Sequence, residues 1–131
     1  MGVNTRFVVG SNNNNFPDEE GRTWVETVLE FEAGCLGSDS ILNDINNDES
    51  YPKIYFFGID GNIPIRKDKY GCDMRAVPIK TFISLLRKEI EATKEHHNGL
   101  PYRRLSWLLP ILTRMKNDRP LNNLCVVMFQ H

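Results

Sequence analysis

The chain has 131 residues, 40% of them hydrophobic and 25% charged, with a formal net charge of −1. This is globular composition, which excludes disordered and fibrous classes, and the length suits one domain, residues 1–131, that buries a core without staples. No apolar run approaches the roughly 20 residues of a membrane span. The start, MGVNTRFVVGSNNNN, lacks the basic end and apolar stretch of a signal peptide, and Arg6 stands where a myristoylation start needs Ser or Thr.

In chain order, TRFVVGS is β-branched and aromatic and predicts a buried strand that stops at Gly10. The polar run SNNNNFPDEEG, with Pro17 and Gly21, predicts a loop. In TWVETVLEFEAG a period of two puts Val25, Thr27, Leu29 and Phe31 on one face and Glu26, Glu30 and Glu32 on the other. A helical stripe through Trp24, Val25, Val28 and Leu29 competes. Val28 breaks the alternation, but the β-branched content favours a strand. GSDSILNDINND then offers Ser38 or Asp39 as N-cap of a short helix carrying Ile41, Leu42 and Ile45.

KIYFFGIDGNIPIRKDKYG holds two apolar runs around Asp60-Gly61, a pair favoured in type I′ hairpins because both central residues need positive φ. Pro64 cannot donate to a ladder, so the returning strand belongs at an edge. AVPIKTFISLLRKEIEATKEHH predicts a helix with Pro78 in its first turn and Phe82, Leu85, Leu86 and Ile90 as its apolar stripe. Gly99 and Pro101 stop it. A second helix, from about Tyr102 to Lys116, has Leu105, Leu108, Leu109 and Leu112 on one face, and Pro110 predicts a kink or early break. LNNLCVVMFQ is a continuous apolar run, as an interior strand requires. The fold class is therefore α/β, of α+β type. One mixed sheet of about four to five strands holds a central hairpin, with two C-terminal helices packed on it.

The small net charge hides a polarised chain. Residues 1–50 carry ten carboxylates against Arg6 and Arg22, a balance of −8, and residues 51–131 carry +7. Such a split marks either a partner-binding face or two halves that neutralise each other in the fold. The candidate partner-binding residues are Asp18, Glu19, Glu20, Glu26, Glu30 and Glu32. As a divalent-cation site this set lacks the spacing of a calcium loop, so no metal is expected. Arg66, Lys67, Lys69, Arg103, Arg104 and Trp107 form the alternative, nucleic-acid-binding set, since cations interleaved with aromatics suit phosphate contact and base stacking. A pI of 6.3 is well below that of most nucleic-acid modules.

Glu95, His96 and His97 are the obvious candidate for a metal or catalytic site. Adjacent helical residues point about 100° apart, so the two imidazoles cannot share one ion from a regular helix. With Asn98-Gly99 following, they read as a helix end. GSNNNN lacks the glycines of a dinucleotide loop and the Gly-Lys-Ser/Thr of a P-loop. Cys35, Cys72 and Cys125 are odd in number and widely spaced, which points to the reducing cytoplasm rather than a disulfide framework.

No catalytic motif and no cofactor site emerge. The expected function is a non-catalytic binding protein: an inhibitor, immunity protein, or phage host-takeover or anti-defence factor, the Asn-rich coding being common in phage. Its acidic N-terminal face would meet a basic enzyme or toxin. The alternatives are a nucleic-acid-binding protein or metal-dependent nuclease using the basic half, and a small-molecule-binding or sequestering protein built on the Asn-rich loop.

Overall fold

The computed structural model describes residues 4–13, 16–33, 40–58, 61, 63–96, 98–118 and 123–130. Among these residues six strands form one sheet: β1 (Thr5–Asn13), β2 (Thr23–Glu32), β3 (Ile54–Phe57), β4 (Pro64–Ile65), β5 (Val77–Pro78) and β6 (Leu124–Gln130). Their order is β4-β3-β2-β1-β6-β5. Only β2 and β3 run parallel. Three α-helices join them: α1 (Ser40–Asn46), α2 (Ile79–Ala92) and α3 (Leu100–Lys116). The fold is the α+β type that the sequence indicates, with a richer sheet. Among the described residues no helix is long and apolar enough to cross a membrane.

The adjacent interior strands β1 and β6 are covered on two sides, which is why their sequences do not alternate. Phe7 and Val9 of β1, with Leu124, Val126 and Met128 of β6, face the helices. There they meet Ile41, Leu42 and Ile45 of α1, Phe82, Ile83 and Leu86 of α2, and Leu105, Leu108 and Leu112 of α3. Val8, Cys125, Val127 and Phe129 face the other way, onto Val25, Ile54, Phe56, Met74 and Ala76. Each such fully buried aliphatic or aromatic side chain contributes about 1.5–3 kcal/mol. Among the described residues no helix packs on this second side. The sheet curls over it instead, because Ile54 N–H donates to Met74 O and Ala76 N–H to Pro52 O, tying the β3 margin to the segment leading into β5.

Several expectations need correction. Strand β1 does not stop at Gly10 but runs through Ser11–Asn13, so half of the supposed Asn-rich loop is strand; Asn14 and Asn15 lie outside the described residues. The β3–β4 hairpin exists, but its innermost pair is Phe57 with Pro64, a longer connection than a two-residue turn at Asp60-Gly61. Gly61 does hold φ of 72°, and Asp60 lies outside the described residues. Pro64 occupies an edge strand, as its missing N–H demands. Val77–Pro78 is a strand rather than a first helical turn, and α2 starts at Ile79 with Pro78 as its N-cap. Pro110 does not end α3, which continues to Lys116. The helix before it ends at Ala92, with a 3-10 turn at Lys94–His96; His97 lies outside the described residues, as do Ser38 and Asp39.

Candidate interaction surface

The acidic candidates separate into distinct settings. Arg22, 2% exposed, is the hub of the first. Its guanidinium meets Asp18 Oδ2 at 3.3 Å, Glu20 Oε2 at 2.8 Å and Asp73 Oδ1 at 2.7 Å. Asp18 also accepts the amides of Glu20 and Arg22 and pairs with Arg66, while Lys53 pairs with Asp73. Partial burial alone would raise the Asp18 pKa, but the two amides and the guanidinium override it and hold the carboxyl below the usual carboxylate range. The Arg22 guanidinium, helped by Lys53, likewise overcomes burial and depresses Asp73. Burial would lower Arg22, but Asp73, Asp18 and Glu20 raise it. Asp18 and Glu20 thus help to lock the loop before β2 onto the segment around Asp73. Glu19 beside them is exposed.

Strand β2 holds the other three. Its pairing with β1 shifts register: Val9 stands opposite Leu29, but Gly10 stands opposite Thr27, leaving Val28 as the extra residue of a β-bulge. Gly10 makes room for it, since a Cβ there would overlap the Glu26 carbonyl oxygen. The bulge exchanges the faces. Opposed residues share a side, so Glu30 and Glu32 lie on the side of Val8 and Arg6, while Leu29 and Phe31 face the helices with Val9 and Phe7. Before the bulge, Val25 is on the Val8 side and Glu26 is opposite it. The single acidic face expected of Glu26, Glu30 and Glu32 is therefore divided. Arg6 meets Glu30 at 3.5 Å and Glu32 at 3.8 Å.

The start of β2 carries an aromatic strip that period-two reading does not reveal. Parallel pairing sets Trp24 against Tyr55 and stops there, so among the described residues the far edge of β2 has no ladder partner beyond Trp24. Phe16, Trp24, Phe57 and Tyr55 follow one another edge to face, with centroids 5.9–6.3 Å apart. The Arg66 guanidinium lies over the Tyr55 ring, and the Tyr55 hydroxyl donates to Phe16 O. Phe16 is 57% exposed, and Val28 and Leu29 are 44% and 40% exposed. At the other end of β2 a groove of about 190 Å³ separates Phe31 and Ala33 from Arg104, Trp107 and Ile111 of α3.

Comparison of the chain with known protein families, characterised proteins and solved structures finds no match. Among the described residues, no group of three or more His, Cys, Asp or Glu is placed to hold a metal ion.

The basic candidates do not converge either. Lys67 and Lys69 border a groove with Ile65, Phe129 and Gln130 on the curled side of the sheet, while Arg103, Arg104 and Trp107 belong to α3 on the helical side. Arg66 instead joins the aromatic strip and Asp18. Sequence reasoning missed Arg22 and the strip. For Arg22 a signal existed: it is one of only two cations in residues 1–50, four residues from Asp18. For Phe16, Trp24, Tyr55 and Phe57 there was none, because only the β2–β3 pairing brings them together.

Proposed function

We propose that this is a non-catalytic protein-binding domain, of the inhibitor, immunity or anti-defence kind, that docks a basic protein through the outer side of β2. One observation carries the reading: exposed Val28 and Leu29 lie on the strand that also carries Glu26, Glu30 and Glu32, and its Trp24 joins the strand to the rings of Phe16 and Phe57. An apolar, aromatic centre with a charged rim is the composition of a protein interface. Asp18 and Glu20, held by Arg22, serve as scaffold in this reading, with Glu19 and Glu26 on the rim. Unpaired Cys72 and Cys125 suit the cytoplasm.

The test is capture of the partner from host lysate, followed by affinity and association rate for two variants. Reversing Glu30 and Glu32 together to Lys should slow association and flatten its salt dependence, since rim charges steer encounter. Reversing Arg103 and Arg104 to Glu should leave that partner bound. The stacked Arg66 and exposed Phe16 favour a second reading, single-stranded nucleic acid, because base stacking uses such rings. A nucleic-acid partner whose binding is lost on replacing Arg66 by Glu, with the Glu30 and Glu32 reversal neutral, would establish that one instead.

A further inference from the structure

We propose that the partner contributes an extended segment that adds to β2 as a new edge strand, with basic and apolar residues in alternation. The proposal rests on the acidic β2 reading above and specifies how the contact is made.

Strand β2 runs to Glu32, yet β3 pairs only with Thr23 and Trp24. Val25 is buried against β3, so residues 26–32 present an unpaired backbone edge among the described residues, about 23 Å long at 3.3 Å per residue. A free edge of that length is a template for strand addition, which draws affinity from main-chain hydrogen bonds and specificity from alternate side chains.

Charge excludes a second copy of this chain as the occupant. Antiparallel self-pairing centred at Glu30 would set Glu30 against its own copy, and centred at Phe31 it would set Glu30 against Glu32; like charges directly opposite are destabilising. The same carboxylates select a cationic guest. Glu30 and Glu32 share one guanidinium, Arg6, so that side of β2 keeps a net negative charge. The opposite side offers Leu29 and Phe31 and the groove beneath Trp107 and Ile111, which are 60% and 46% exposed. A guest strand alternates sides as its host does. Its Lys or Arg residues would lie beside Glu30 and Glu32, and its aliphatic residues beside Leu29, Phe31 and the groove.

Three synthetic peptides test this by calorimetry and amide exchange: an alternating Lys/Val heptamer, a block-ordered peptide of identical composition, and the alternating peptide N-methylated at every second amide, in both registers. The alternating peptide should bind about tenfold more tightly than the block peptide. One N-methyl register should lose about tenfold and the other should not, because only alternate amides face the host edge. Amides within residues 26–32 should gain exchange protection. Replacing Glu30 and Glu32 together by Gln, which keeps their shape beside Arg6, should weaken the alternating peptide. Equal binding of the alternating and block peptides, indifference to N-methylation, or no binding at millimolar peptide each overturns strand addition. Failure of the parent reading shows differently: the captured partner would then ignore the Glu30 and Glu32 charge reversal.

Discussion

Replacing Arg22 by Met removes the hub between the β2 entry loop and the Asp73 segment while keeping an unbranched, apolar side chain in its place. Removing one member of a buried ion pair costs about 3–5 kcal/mol, chiefly because the remaining charges lose their partner. Here three carboxylates are left, but Glu20 is 66% and Asp73 28% exposed and both regain water. The lower end, about 3 kcal/mol, is expected. At about 4 °C per kcal/mol for a chain of this size, the melting temperature should fall by about 12 °C. The loss must also depend on pH. Asp18 and Asp73 have depressed pKa values in the folded protein, so the stability they contribute is present above the ordinary carboxylate value near 4 and is lost as pH falls through the folded values. The Met variant loses the guanidinium's share of that contribution, while the two amides at Asp18 and Lys53 at Asp73 remain. The gap between the two proteins should therefore be widest at pH 7 and shrink towards pH 3. Urea titrations at both pH values, read by circular dichroism, measure it. A variant within about 0.5 kcal/mol of the parent at pH 7, or a gap that does not narrow in acid, refutes the hub.

Gly10→Ala should destabilise by about 3 kcal/mol in the same titration, because the new methyl meets the Glu26 carbonyl across a bulge that central strands cannot easily relax. An unchanged midpoint would mean that the bulge is not fixed by that close approach. Cys125 should resist iodoacetamide at pH 8 in the native protein while Cys72 reacts, as mapped by mass spectrometry. Burial pushes the Cys125 thiol up to about 12, whereas Cys72 is exposed. Labelling of Cys125 before unfolding would contradict its place in the core.

Where one residue's neighbours lie close in sequence, the fold was readable. The apolar runs of β1 and β6 gave interior strands, the stripes in α2 and α3 gave their buried faces, and Pro64 gave an edge. The failures arise where distant pairing decides. Val28 was seen to break the alternation of β2, but only its register against β1 turns that irregularity into a bulge that separates Glu26 from Glu30 and Glu32. Val77–Pro78 reads as a helix start until Val126 is set beside it. Charge polarity was visible as a sum. Its partial internal use was not, because Arg22–Asp73, Lys53–Asp73 and Arg66–Asp18 join or anchor segments far apart in the chain.

The pairing of β1 with β6 also has a kinetic meaning. Thr5 lies opposite Gln130, so the centre of the sheet joins residues separated by nearly the whole sequence. During synthesis β1 emerges long before Leu124–Gln130 and must wait for it, leaving Phe7 and Val9 without their cover in the meantime. Contacts of such long range make folding slow and lengthen the exposure of sticky intermediates. Reordering the chain so that it opens between β3 and β4, with a short linker from β6 to β1, would turn this most distant ladder into a local hairpin. The native sheet would be unchanged, but it would assemble from its middle outwards.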